Sequence, residues 1–180
     1  AFTGQSIVDW YGNLIVGGTG APIWRLNTTS SLWSQSSDVW RQYLETVQWE
    51  RGGQNLPRLV GSTVDGAPGA NWGDHSIEYT DNADPMTEAV WSEEIYVGNT
   101  GHSITAVVAS NRHVYYLKSN GLYDMDDRLY SPNITEYRKH ITDILNPMPA
   151  WVHNGKIYFG SRTGLDQVPI EQDGIRQDNP

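Results

Sequence analysis

The stretch Ala150–Val168, AWVHNGKIYFGSRTGLDQV, decides how this chain folds. An apolar strand, Ala150–Val152, runs into His153-Asn154-Gly155, an Asn-Gly hairpin turn whose residues tolerate positive φ. Ile157–Phe159 forms a second strand closed by Gly160-Ser161, and the Arg162-Thr163-Gly164 turn leads into a third, Leu165–Val168. The same order recurs in Ile104–Met125, where Val114-Tyr115-Tyr116-Leu117 is followed by an Asn-Gly turn and Leu122-Tyr123. It recurs again in Ile7–Leu26, with a turn at Gly12-Asn13, a strand at Leu14–Val16, a Gly-rich turn and Ile23-Trp24. Asn111 and Gly155 lie 44 residues apart, a spacing typical of propeller blades. Gly12 and Asn111 lie 99 apart, about two such periods, or one period plus an insertion of roughly 50 residues.

Outward from these meanders, the expected class is all-β: propeller-like antiparallel meanders in an incomplete ring, with a small β-sandwich-like insert. Residues 1–51 read as a first propeller-type blade. Asp38–Glu50, DVWRQYLETVQWE, carries Val39, Tyr43 and Val47 at helical spacing, but its β-branched and aromatic content favours a long strand, the outermost of that blade. The Ser/Thr-rich Thr28–Ser37 reads as a loop or an irregular edge. In residues 52–98 the pattern lapses into three candidate strands, Leu56–Val64, His75–Thr80 and Glu88–Val97, taken as the insert or else a degenerate blade. Residues 99–146 form the next blade, with Tyr137–Leu145 as its outer strand; 147–180 give a partial blade and a polar tail. A ring closes with about 4–8 blades, so the missing ones are expected in a longer parent polypeptide, with neighbouring subunits as the alternative source. The start AFTGQS shows neither the basic nor the apolar region of a signal peptide.

Bulk composition agrees with this class. The 180 residues include 18 Gly, 8 Trp and 10 Tyr, residues that suit turns and half-buried pleated surfaces. A net charge of −9 repels nucleic-acid backbones and anionic bilayers, leaving cations or neutral polymers such as polysaccharides as ligands. With no cysteine, disulfides and thiolate metal sites are excluded. No apolar run is long enough to span a bilayer as a helix.

Chemistry is harder to find. His75, His102, His113, His140 and His153 are scattered without metal-ligand spacing, and there is neither a Gly-x-Ser-x-Gly elbow nor a phosphate-binding Gly-rich loop. Ser62–Trp72, STVDGAPGANW, has the residue types of a sialidase Asp box but the wrong spacing. Asp74, Glu78, Asp81 and Asp84 offer carboxyl pairs for glycoside cleavage, as any acidic chain does. Asp124-Met125-Asp126-Asp127 and Asp81-Asn82-Ala83-Asp84 have oxygen ligands at short spacing but no EF-hand pattern, and read as solvated turns. Sequons at Asn27 and Asn133 matter only in a eukaryotic secretory pathway. No catalytic residue, metal ligand or cofactor is assigned. Trp10, Trp24 and Trp151 are expected to pack between strands. Trp72, in the Gly-rich GANWGDH loop, and Trp33 are the candidate ligand contacts, because sugar rings stack on exposed indoles.

One resemblance bears on function. Tyr43–Asp65, YLETVQWERGGQNLPRLVGSTVD, resembles a segment of tailed-bacteriophage virion proteins in which a Glu-Thr- and Trp-containing outer strand precedes a Leu/Arg-containing one. His75–Ile95, HSIEYTDNADPMTEAVWSEEI, is similar to the inserted β-sandwich of such proteins, with Asp81-Asn82-Ala83-Asp84 in place of a tight Asp-Gly turn. Spanning roughly residues 1–168, the resemblance implies a propeller with an insert in a tail, tail-tip or other virion component, and implies no catalytic residues. The expected function is therefore that of a non-enzymatic structural or adhesion segment of a virion. It would contact other virion subunits, the rest of a parent chain or host-surface polysaccharide, with no nucleic acid and no membrane insertion. A carbohydrate-binding propeller lectin is the alternative, and a glycoside-acting propeller enzyme the second alternative.

Overall fold

A computed structural model describes residues 2–51, 54–63, 76–96, 104–110, 113–118, 121–124, 150–161 and 164–169. The chain is all-β, and it divides into two compact units, Ala1–Ile95 and Tyr96–Pro180. Four antiparallel sheets, none closed on itself, hold the strands in strict sequence order.

In the first unit β1 (Thr3–Trp10), β2 (Asn13–Thr19), β3 (Trp24–Asn27) and β4 (Leu32–Gln35) form one meander. The second comprises β5 (Arg41–Arg51), β6 (Gln54–Thr63), β7 (Ser76–Thr80) and the short β8 (Ile95–Tyr96). Between them Val8, Trp10, Ile15, Ile23, Val39, Leu44, Leu59 and Trp91 make the core. Period-two alternation explains β1, where Val8 and Trp10 are buried while Ile7 and Asp9 face outward. The two sheets meet along β1, β2 and β5. Ser6 Oγ donates to the Gln42 carbonyl (3.0 Å) and accepts from the Leu44 amide (2.9 Å). Gly17 lies so close that a Cβ there would sit 2.9 Å from the Arg41 and Gln42 carbonyl oxygens.

Several expectations are corrected here. Asp38–Glu50 does contain a strand, β5, but it opens the second sheet against β6 instead of closing the first. The fourth strand of the first sheet is β4, a regular edge strand within the Ser/Thr tract read as a loop or an irregular edge. Asn27 folds the chain back into it, its side-chain oxygen accepting the Thr29 and Ser30 amides at 3.0 Å. Strands β6, β7 and β8 do not face one another as a sandwich; with β5 they make a single sheet. Glu88 lies in a 3₁₀ turn, Glu88–Val90, and only Ile95–Tyr96 of that expected strand is extended in a ladder. The first hairpin turns at Tyr11 (φ 49°) and Gly12 (φ 74°), one residue earlier than expected, because Asp9 Oδ1 accepts the Gly12 amide and Asn13 already pairs with Trp10.

In the second unit β9 (Ile104–Ser110), β10 (His113–Lys118) and β11 (Gly121–Asp124) form a three-stranded meander, as do β12 (Ala150–His153), β13 (Lys156–Ser161) and β14 (Gly164–Pro169). Both match their expected positions. Ala106, Val108, Tyr115, Leu117 and Leu122 from one sheet pack on Ile157, Phe159 and Val168 from the other, and β9 lies against β12. Tyr137–Leu145 and the tail after Val168, beyond Pro169, lie outside the described residues. The β12–β13 turn has Asn154 at φ 48° and Gly155 at φ 69°, the pair of left-handed residues that a type I′ turn needs. Gly155→Ala is expected to cost about 1 kcal/mol, since a Cβ at positive φ is strained. A urea titration showing no loss would mean that the turn relaxes to another type.

Candidate functional site

Arg41 is the most enclosed charged group among the described residues of the first unit, 3% exposed. It owes that position to a bulge: Arg41 pairs with Thr63 and Leu44 with Gly61, so three steps along β5 match two along β6. The extra residue turns Arg41 onto the same face as Leu44. Its Nη2 donates to Glu78 Oε2 on β7 (2.5 Å) and to Glu88 Oε1 on the 3₁₀ turn (2.8 Å). Nη1 donates to the Trp40 carbonyl (2.8 Å), and the guanidinium lies 4.5 Å from the Trp91 ring centroid.

Burial pushes the Glu78 carboxyl up to about 7; Arg41 pulls it down, while Glu88 and Glu94 raise it further, and Glu88 also hydrogen-bonds to it. A carboxyl that keeps its proton near neutrality is what a general acid needs. The geometry serves a different end. Glycosidase carboxyls stand about 5–10 Å apart with a sugar between them, whereas a single guanidinium nitrogen bridges Glu78 and Glu88. Arg41 fills the space between the two carboxyls.

The Asp81–Asp84 knot is likewise engaged. Arg58 grips Asp81 with two 2.7 Å bonds and lies 3.8 Å from the Tyr79 ring centroid; Arg25 Nη1 reaches Asp84 at 3.0 Å. The turn is solvated, as expected, with Asn82, Ala83 and Asp84 exposed, and its two carboxylates are ion-paired as well. Among the described residues no group of His, Asp or Glu is placed to hold a metal ion. Asp74, Asp126 and Asp127 lie outside the described residues, as do His75, His102 and His140.

Exposed aromatic groups give the other candidate surface. Trp33, on the edge strand β4, is 53% exposed; Trp72 lies outside the described residues. Trp10 is buried as expected, its indole donating to the Asn82 carbonyl at 2.9 Å. Trp24 is half-buried. Trp151 departs from expectation: it is 45% exposed and stacks on its cross-strand partner Tyr158, centroids 5.7 Å apart and planes 12° from parallel. Alternation explains this. Ile157 and Phe159 take the core face of β13, so Tyr158, and with it Trp151 and Gln167 in the paired strands, stands on the opposite face. Lys156 Nζ donates to Gln167 Oε1 (3.2 Å) beside the stacked pair. A stacked aromatic pair flanked by amide and ammonium groups can take the apolar face of a sugar ring and hydrogen-bond its hydroxyls. No sequence signal separated Trp151 from the packing tryptophans except the phase of the alternation through Ile157 and Phe159.

Comparison with protein-family models finds no match, and neither does comparison with curated proteins.

Proposed function

We propose that the chain is a non-enzymatic structural and adhesion segment of a bacteriophage particle, built as part of a propeller-like ring and working through its outward sheet faces. The propeller reading is supported by the sequence-ordered meanders and by the way first strands of successive sheets lie together, β1 with β5 and β9 with β12. Strands β6, β7 and β8 then complete a four-stranded blade that β5 begins, in place of an insert. The virion assignment rests on the resemblance through Tyr43–Asp65 and His75–Ile95, and the segment would sit in the tail or tail tip beside other virion subunits.

The observation that carries the adhesion reading is the aromatic character of the outward faces. In the first sheet cross-strand rows align Ile7, Val16 and Trp24, and next to them Leu14, Leu26 and Trp33. In the last, Trp151 and Tyr158 stack beside Lys156 and Gln167. Exposed faces of this kind mark contact surfaces. The first, apolar except for Asp9 and Gln35 at the ends of its rows, suits a protein subunit; the second, with its polar flank, suits a neutral host-surface polysaccharide. A lectin from another source would use the same surface, so the two readings part on context: only the virion segment is found in purified particles.

Polysaccharide binding tests the proposal. The purified protein should be retained on host surface polysaccharide, and Trp151→Ala should weaken retention about tenfold or more without unfolding the sheet. Wild-type protein that binds no polysaccharide would leave subunit contact alone as its role. Hydrolysis of the polysaccharide would overturn the non-enzymatic reading.

A further inference from the structure

We propose that Glu78, Glu88 and Arg41 form a proton-operated lock in the first unit: the two carboxyls share one guanidinium charge and one proton, so mild acid holds the 3₁₀ turn on the sheet and rising pH releases it.

Charge counting motivates the proposal. Arg41 supplies one positive charge to two carboxyls bonded to the same Nη2. With one proton retained the trio is neutral, a condition that burial rewards. With both carboxyls ionised a net negative charge is left under the 3₁₀ turn. Glu78 is held on β7 and buried, whereas the Glu88 side chain is 43% exposed and has water to move into. Glu88 is therefore the group that leaves, and the turn Glu88–Val90 leaves with it.

The surroundings bias the same way. From the chain leading to β8, Glu94 adds negative charge. On this face β6 presents Leu59, Gly61 and Thr63 opposite β5 and β7, with Gly61 against the Arg41 stem. Arg58 of β6 is engaged with Asp81 and Arg25 of β3 with Asp84. The 3₁₀ turn and its exit contribute Glu88 itself and the Trp91 ring against Arg41.

The sign follows from proton linkage. The folded Glu78 carboxyl has its pKa raised from 4.5 to about 7, so between those values the folded state binds more protons than the unfolded one. Stability therefore falls as pH rises through that window and is fully present below it.

Carbon-13 detection of the Glu78 carboxyl in the intact chain, with urea midpoints taken from about pH 5 to pH 8, tests the lock. Glu78 should titrate near neutrality, and the wild-type urea midpoint should fall as pH rises. Glu88→Gln, at a half-exposed position, leaves Glu78 alone with the guanidinium and should lower its titration midpoint by about one pH unit. Glu78→Gln should flatten the pH dependence. A wild-type Glu78 that titrates in the ordinary carboxylate range, or one whose midpoint Glu88→Gln leaves unmoved, overturns the proposal.

Discussion

Arg41→Ala should destabilise the first unit by about 3–5 kcal/mol at neutral pH, the usual consequence of removing one partner from a buried ion pair. Three losses combine. Glu78, buried at 4% exposure, loses the guanidinium it bonds, Glu88 loses its anchor to the sheet, and the Trp91 ring loses the cation lying over it. Urea titration at constant m-value measures the sum. The loss should shrink toward acid, because carboxyls that take up protons no longer need a cation. Arg41→Lys should recover little of it, since an ammonium cannot make two directed bonds from one planar group while lying flat on an indole. A loss below about 1 kcal/mol at neutral pH would show that water, and not Arg41, satisfies the carboxyls.

Why such a site hides in sequence is instructive. Arg41 is 37 positions from Glu78 and 47 from Glu88, and the three come from two strands and a 3₁₀ turn. In β7, Ser76, Glu78 and Thr80 alternate with Ile77 and Tyr79, which reads as a polar face turned to water. In fact Ser76, Glu78 and Thr80 are all buried. Alternation reports polarity, and polarity stands for exposure only when no neighbouring element supplies partners. The meanders were legible because their determinants are local: Asn154-Gly155 can take the positive φ of a type I′ turn, and the flanking strands alternate. Strand β5 was legible for its composition, but its partner was not. Gly61 on β6 leaves room for the Arg41 stem, while Gly17 on β2 and the Ser6 bridge from β1 bring β5 close against the first sheet. Strand β4 was legible only as a loop or an irregular edge because Ser34 and Gln35 carry no strand propensity; its regular ladder comes from pairing with β3.

The same reasoning makes Trp10 the residue on which the first core depends. Trp10→Ala should cost about 3–5 kcal/mol, the range for emptying a buried aromatic site. At 2% exposure the indole touches no appreciable water, and it stands among Val8, Ile15, Leu44 and Leu59 where the two sheets meet. Its N–H also fixes the loop after β7 by donating to the Asn82 carbonyl, within the acidic knot read from the sequence as a solvated turn. Packing and tether can be separated. Trp10→Phe keeps most of the apolar volume and removes only the donor, so it should cost about 1–3 kcal/mol, the desolvation penalty of a carbonyl left unpaired. The remainder of the alanine loss is then the cavity. The surface pair Arg25–Asp84, with Asp84 well exposed, should not compensate, because such pairs contribute at most about 1 kcal/mol. If Trp10→Phe proved as damaging as Trp10→Ala, the tether to Asn82 would outweigh the packing, and residues 80–86 would be the keystone of the unit instead of the sheet interface.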